Sequence, residues 1–408
     1  MRVTIVSPFD PMPPHAPERG SGDGPARPGS ASPRDARRAH VGGVERVLHR
    51  MALEVARRGH EVTLLCSTAG PGSEDQDGPL RVVRVRRAAT LMRAPLAPLA
   101  QHIAPGEDVV HVPATYPLTT EAVLRSAASR RVPAVLDFHF EPVPASLAGR
   151  AAGQAWSAWG PRSYPLAGLV VVRSLAYARA APSLRGVHPG LLRVVPNGVD
   201  PEVFRPGAAP GTQDTLLVVG RLVPYKGVDV LLRALASMTG APPLLVAGDG
   251  PERPRLVALA RRLGVDARFL GRVPDEELPA LYRAARLTVL PSINRQEAFG
   301  ITLIESMACG TPVVASRLPG VAEVASLAGV LAEPGDPASL AAALEQALRN
   351  DELPRGPALA RAVAARYAWP VVAGELVKVY EEVAGSRPAK VEKVMPHALA
   401  GGLSLLRA

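Results

Sequence analysis

Cysteine, lysine and aromatic side chains are scarce in this sequence, and each scarcity narrows the field. Two cysteines, Cys66 and Cys309, cannot supply a disulfide framework or a cysteine-rich metal site. Nine histidines are scattered without the spacing of metal ligands. Aromatic residues make up 4% of the chain, so Ala, Val and Leu must fill its cores. No recognised nucleic-acid module is present, and aromatic and basic residues do not interleave, which disfavours nucleic acid as a partner. No apolar run reaches the ~18 residues that a membrane-spanning helix needs. The first glycine turn lacks the G-x-G-x-x-G pattern, so a dinucleotide oxidoreductase is also disfavoured.

What is present points to a large α/β protein. A chain of 408 residues with 47% hydrophobic content exceeds what one core usually supports, so two domains are expected. The net charge of +10 comes mostly from arginine, since only four of the 47 basic residues are lysine. Residues 1–200 carry 24 basic against 16 acidic residues, so the excess sits in the first half. That half suits an acidic partner such as an anionic membrane surface or a phosphorylated acceptor, although a solvated arginine-rich surface explains it equally well. The N-terminus reads as a short strand rather than a signal peptide. A cytoplasmic location, with contact at the inner membrane face, is the expectation.

Short apolar runs alternate with helical periodicity along the chain. Residues 2–7 read as a buried strand, and 11–40, dense in Pro, Gly, Arg and Ser, as a flexible insertion. Gly42 and Gly43 open a helix carrying Val47, Leu48, Met51 and Val55, and residues 61–66 form the next strand. Strand, glycine turn, helix, strand is the βαβ unit of a parallel sheet. Further strands are expected at 80–85, 109–112, 134–138, 169–172 and 192–195. Turn residues at Pro196-Asn197-Gly198 mark the domain boundary. A second alternation follows, with strands near 215–219, 243–247, 265–270, 287–290 and 312–315. Residues 1–196 and 197–368 are thus read as two Rossmann-like, doubly wound domains facing a cleft. The final helix, 369–385, is placed to return to the first domain, and 386–408 form a tail. In such sheets ligands bind beyond the carboxyl ends of the strands, so function should map to those loops.

Two constellations carry chemistry. Gly220-Arg221-Leu222-Val223-Pro224-Tyr225-Lys226-Gly227 follows a strand and precedes a helix. Arg221 offers a planar fork and Lys226 a point charge, a combination suited to a diphosphate. Glu297 and Glu305 stand eight positions apart around a helix opened by Gly300, and helical spacing puts them on one side. A helix N-terminus favours phosphate, whereas a carboxylate accepts hydrogen bonds from sugar hydroxyls. Together they read as a nucleotide-sugar site. Asp75-Gln76-Asp77 has Asp-x-Asp spacing but falls in a polar Gly- and Ser-rich stretch and reads as a solvated loop. No metal site is expected.

The stretch from about 194 to 330 resembles the retaining glycosyltransferases of family four (glycosyl transferases group 1), which have the GT-B fold. The resemblance rests on Gly220-Arg221…Lys226-Gly227, Ala247-Gly248-Asp249-Gly250-Pro251, Leu290-Pro291-Ser292 and Glu297 through Pro312. It implies that Arg221 and Lys226 bind the donor diphosphate and that Glu297 meets the hydroxyls of the transferring sugar. Amides at Phe299, Gly300 and Ile301 would face the phosphates, and Glu305 the ribose. Gly42 and Gly43 would match the first-domain glycine loop, and Gly248, Asp249 and Gly250 a loop near the base. His139, after a first-domain strand, would match the family's histidine there, but Phe140 and Glu141 depart from the small polar residue or Asp that often follows it.

The implied reaction is metal-independent and retaining, and needs no resident cofactor. It moves a hexose from a UDP- or GDP-linked sugar to a hydroxyl acceptor such as a glycolipid, polysaccharide precursor or secondary metabolite. An epimerase or phosphorylase of the same fold, and a non-catalytic sugar-nucleotide-binding protein, are the alternatives.

Overall fold

The computed structural model of the chain describes residues 1–11, 43–91, 94–141, 160–207 and 214–386. Gly42, nearly all of the expected 11–40 insertion, and residues 387–408 of the tail lie outside the described residues.

The first half supplies strands β1 (Arg2–Ser7), β2 (Glu61–Thr68), β3 (Ser73–Asp77), β4 (Leu80–Arg86), β7 (Val109–Pro113), β8 (Ala134–Phe138), β9 (Leu169–Val172) and β10 (Leu192–Val194). They form one sheet in the order β10-β9-β8-β7-β1-β2-β4-β3, parallel except for the edge pair β3–β4. β5 (Ala89–Leu91) and β6 (Ala94–Leu96) make a separate ribbon. The central strands are buried along their length (β7, β8 and β9 throughout), as expected of a parallel sheet covered on both faces. Helices α1 (Gly43–Arg57), α2 (Pro117–Ser129) and α3 (Leu175–Ala180) accompany it. On α1, Val47, Leu48, Met51 and Val55 are buried against β1 and β2.

The second half alternates strictly: β11 (Leu216–Val219), α4 (Val228–Ser237), β12 (Leu244–Ala247), α5 (Arg253–Leu263), β13 (Ala267–Gly271), α6 (Leu278–Ala284), β14 (Leu287–Leu290), α7 (Ile301–Ala308), β15 (Val313–Ser316), α8 (Pro319–Ala325), β16 (Gly329–Ala332) and α9 (Pro337–Arg349). Its all-parallel sheet runs β13-β12-β11-β14-β15-β16. Strand order therefore reverses between β11 and β14, and the loops leaving these neighbours diverge to opposite sides. That is the crevice in which open α/β sheets bind ligands. Helix α9 starts where its sequence says it should: the Asp336 side chain accepts from the amides of Ala338 and Ser339, and Pro337 occupies the first turn.

Helices α10 (Gly356–Tyr367) and α11 (Trp369–Gly385) close the described chain. The chain leaves the first core at Val195 and enters the second at Val199. It returns beside this crossing, where the Val199 amide donates to the Tyr367 carbonyl at 2.7 Å and the Trp369 amide to the Val199 carbonyl at 3.1 Å. Helix α11 then buries Trp369, Val372, Leu376, Val379, Tyr380 and Val383 in the first core, against α1 and the sheet. This three-and-four spacing is one helical face.

Two expectations need correction. Asp75-Gln76-Asp77 is not a solvated loop but most of β3, paired antiparallel to β4 through a turn at Gly78. An edge strand with both faces near water needs no apolar alternation, so periodicity could not reveal it. Its carboxylates are engaged, Asp75 with Arg84 and Asp77 with His49 at 2.8 Å. Second, Glu297 precedes the helix of Glu305, as the sequence placed it, but because α7 begins only at Ile301, helical spacing does not set the side on which its carboxylate stands. A turn closed by the Glu297 amide donating to the Asn294 carbonyl at 3.2 Å sets its direction, rather than helical periodicity.

Candidate active site

The loop after β11 folds as a single 3-10 turn over Pro224–Lys226 and places the Lys226 ammonium 2.6 Å from Glu297 Oε2. The buried Ser292, at the end of β14, donates to the same oxygen at 3.1 Å. The two loops are also tied through the backbone, with the Ile293 amide donating to the Tyr225 carbonyl at 2.8 Å. Both loops flank the strand-order reversal, so residues 71 apart in sequence share one crevice. Burial alone would lower the Lys226 ammonium, but the carboxylate of Glu297, with help from Tyr225 and Glu305, holds it above the usual lysine range. It remains a full cation at neutral pH.

Glu305 lies in the middle of α7, where Tyr282 of α6 donates its hydroxyl to Oε2 at 2.7 Å. Burial raises this carboxyl from 4.5 to about 7, against the opposing effects of the Tyr282 hydrogen bond, Arg46 and Lys226. One carboxylate of the pair is thus locked to a cation, while the other is poised near neutrality. Tyr282 itself is fully buried, and burial with Glu305 beside it keeps its hydroxyl protonated.

Arg221 is exposed and lines a small recess with Gly220, Leu222, Lys226, Leu290 and Pro291. Burial raises the Tyr225 hydroxyl, which also feels the charges of Lys226, Glu297 and Arg221, so all four side chains share one neighbourhood. Gly300 caps α7 in the left-handed region at φ 85°, a conformation that glycine adopts without strain. Phe299 and Ile301 flank it, so the amides of this segment sit at the positive end of α7.

Gly248, Asp249 and Gly250 stand directly behind the Arg221 loop. The Leu222 amide donates to the Asp249 carbonyl at 2.9 Å. At Gly248 φ is 150°, and a Cβ would come within 1.9 Å of the Gly220 carbonyl oxygen. At Gly250 it would come within 2.3 Å of the Leu222 oxygen. These glycines let one loop back the other. Asp249 is exposed and accepts from the Gly250 amide.

In the first half, His139 sits beyond the end of β8 inside a buried polar cluster. Asp137 Oδ2 lies 3.0 Å from His139 Nε2 and 2.9 Å from His111 Nε2, and Arg173 reaches both oxygens of Asp137. Arg173 also donates to the Val195 carbonyl at 2.7 Å. Desolvation would raise Asp137, but Arg173, His139 and His111 hold it well below the usual range. Burial lowers His139, which is therefore neutral at pH 7. Glu141, the departure noted in the sequence, faces away from this chemistry and accepts from Ser183 Oγ at 2.8 Å. Gly43 opens α1.

The halves meet at the carboxyl ends of their sheets. Arg46 of α1 pairs with Asp275, after β13, at 2.7 Å. Tyr177 of α3, after β9, donates to the Arg295 carbonyl at 2.7 Å. Sequence reasoning did not single out Ser292, Tyr282, Asp137, Arg173 or Tyr177 as site residues. Ser292 had a signal, a polar residue at a strand end beside the acidic segment. Tyr282 and Tyr177 lie on helical core faces and had none.

Two Rossmann-like sheets with facing carboxyl ends, and a charged crevice at the switch point of the second, define the GT-B class of fold. A family profile described as glycosyl transferases group 1 matches residues 199–358, and one described as glycosyltransferase family 4 matches 41–203. The chain belongs to the group 1 glycosyltransferases. Among its relatives, the D-inositol 3-phosphate glycosyltransferase of Thermobispora bispora is 38% identical over 239 residues, 52% of this chain and 55% of that protein. The protein of the same description from Acidothermus cellulolyticus is 36% identical over 247 residues, 53% of this chain and 54% of the relative. The chain spans about half the length of the curated relatives it matches. Among solved structures, a sucrose-phosphate synthase from Thermosynechococcus elongatus superposes with a TM-score of 0.73 at 22% identity, covering 94% of this chain and 99% of its own. Anabaena HepE in complex with UDP and glucose gives 0.68 at 19% identity, with 94% and 100% covered. These two show the same fold. Among the described residues no helix is long and apolar enough to cross a membrane.

Proposed function

We propose that this protein transfers a hexose from a nucleoside diphosphate sugar to a hydroxyl acceptor, with retention of configuration and without a metal ion. The observation that carries the reading is the convergence of Lys226, Glu297 and Glu305 on the crevice between β11 and β14. Lys226 and the exposed Arg221 would take the charge that develops on the departing diphosphate, aided by the N-terminus of α7 at Phe299, Gly300 and Ile301. That charge is then met by fixed protein groups, which is why no metal is invoked. Glu297 would hold sugar hydroxyls, and Glu305 would accept from the ribose diol. The acceptor hydroxyl would enter on the face the diphosphate leaves, passing its proton to the leaving phosphate. Holding both reactants in one cleft supplies much of the remaining rate.

Residues 197–368 would form the donor side, and residues 1–196, joined by helix 369–385, the acceptor side. UDP is the donor nucleotide to test first, because a structural neighbour was solved with UDP. For the acceptor we infer a polyol or sugar bearing an anionic group, in keeping with the inositol phosphate in the names of the relatives. Support comes from the carboxyl ends of β1, β4 and β7. There the Arg87 guanidinium lies 5.5 Å over the Phe9 ring, and Phe9 meets Tyr116 edge-on at 5.6 Å. His139 would stand on this side, neutral, with Nε2 donating to Asp137 and Nδ1 left as an acceptor.

The test is a thermal-shift screen against UDP, GDP and ADP, followed by UDP-glucose turnover with inositol 3-phosphate and uncharged inositol as acceptors. A nucleotide that binds the folded state raises its melting temperature. Transfer that survives chelation and gives the α-linked product from an α-linked donor supports the reading. Turnover abolished by chelator and restored by Mg²⁺ would overturn its metal-independent part.

A further inference from the structure

Glu297 is held from both halves of the molecule, and the second hold runs through a tyrosine on the far side of the cleft. Tyr177 is 1% exposed on α3, which the Ser174 side chain caps by accepting from the Tyr177 amide. Its hydroxyl accepts from the Glu141 amide at 2.7 Å and donates to the Arg295 carbonyl at 2.7 Å. Arg295 answers across the same boundary, donating Nη1 to the Ala180 carbonyl at the end of α3 at 2.6 Å. On the other side of Glu297, Ala298 is buried in the first-half core together with Tyr177 and Phe138. Behind it Gly320 of α8 packs so closely that a Cβ would lie 1.9 Å from the Ala298 carbonyl oxygen. The carboxylate-bearing residue is thus suspended between a hydrogen-bonded clasp at Arg295 and an apolar plug at Ala298, each made with the first half.

We propose that Tyr177 is a positioning residue that sets where the Glu297 carboxylate stands, so that the donor-sugar contact forms only when the two halves are correctly docked. This rests on the reading of Glu297 as the residue that meets the transferring sugar. The nucleotide contacts depend on it less, because Tyr282 anchors Glu305 within the second half and the backbone of the Lys226 loop is held there by its 3-10 turn and by the Ile293 amide donating to the Tyr225 carbonyl. The clasp would therefore act mainly on the sugar.

Tyr177→Phe removes the hydroxyl while keeping the ring that packs against Phe138. In this variant kcat for UDP-glucose transfer is expected to fall about tenfold or more. The Kd of UDP should stay within twofold of wild type, and UDP-glucose should lose any advantage it has over UDP. Arg295→Lys, which retains the donor to Ala180 and the backbone carbonyl, should recover most of the rate relative to Arg295→Ala. Unchanged kcat with only a lower melting temperature would make Tyr177 a packing residue and overturn the proposal, as would equal weakening of UDP and UDP-glucose. Wild-type protein without turnover of UDP- or GDP-glucose would instead count against the transferase reading. The clasp would then be judged by amide hydrogen exchange over residues 295–299. Faster exchange in Tyr177→Phe confined to that turn supports it, and unchanged exchange overturns it.

Discussion

Lys226 Nζ and Glu297 Oε2 stand 2.6 Å apart in a crevice that leaves their side chains 15% and 11% exposed. A pair so enclosed differs from a surface ion pair, because losing one partner strands the other charge in a poorly solvated place. The two charges satisfy each other. On the reading proposed above, a bound diphosphate and sugar would compete for the same groups.

Lys226→Ala should lower kcat by about a hundredfold, corresponding to ~3 kcal/mol of lost stabilisation of the leaving group. It should also destabilise the fold by exposing Glu297 as an unpaired charge, whereas Lys226→Ala combined with Glu297→Ala should recover part of that stability. Single-turnover kinetics and urea unfolding of the three variants check both points.

Glu305 gives a pH dependence whose sign is fixed. Its carboxyl is raised to about 7 by burial, so the fold favours the neutral form. Stability from this group is complete below its ordinary value of 4.5 and declines as pH rises through about 7, by up to ~3 kcal/mol. Glu305→Gln should therefore melt at a higher temperature than wild type at pH 8 while binding UDP more weakly. The rise in UDP affinity between pH 6 and 8 should flatten in this variant, which separates it from ionisation of the terminal phosphate. Calorimetric titration across that range is the measurement.

Gly248→Ala should be severe. The new Cβ meets the Gly220 carbonyl at 1.9 Å and forces φ 150° on a side chain that resists it, so a cost of ~3 kcal/mol or more and disruption of the Arg221 loop are expected. Gly264→Ala, at φ 68° with no atom within 4 Å, should cost only about 1 kcal/mol. A difference in melting temperature between the two variants, with UDP binding lost only in the first, is the expected outcome.

Arg173→Met should destabilise the protein by about 3–5 kcal/mol, since it leaves the fully buried Asp137 without its cation. Because Asp137 is held well below the usual carboxylate range, its contribution is present above the ordinary value of 3.8 and lost only as the pH falls toward the depressed folded value. The variant should therefore unfold at higher pH on the acid side than wild type, read by circular dichroism between pH 3 and 7.

The second half was legible almost strand by strand. Residues 287–290 and the helices at 228–237, 253–263 and 337–349 fall where apolar runs, Gly turns and an Asp-Pro start place them. The strands of the first half were equally plain wherever both faces are buried. What stayed hidden were β3 at a polar edge, the three-residue strands β5 and β6, the short strand β16, the short helices α3 and α8, and helix α10. In the site, the charged residues announced themselves by type and spacing. Their supports did not, since Tyr282 and Tyr177 look like core aromatics until their hydroxyls are seen at 2.7 Å from Glu305 and the Arg295 carbonyl.

The sequence by itself determined that two parallel sheets form, that Arg221, Lys226 and Glu297 fall in loops after strands, and that Glu305 falls on the helix that follows. Local periodicity and turn chemistry are written within a few residues of where they act. Only the tertiary structure decided that Lys226 locks to Glu297 rather than Glu305, and that Glu305 is desolvated to near neutrality. It alone decided that Tyr177 clasps the turn carrying Glu297 from across the cleft. Those relationships depend on strand order and on the docking of two halves, which bring together groups 71 and 118 residues apart that no local pattern connects.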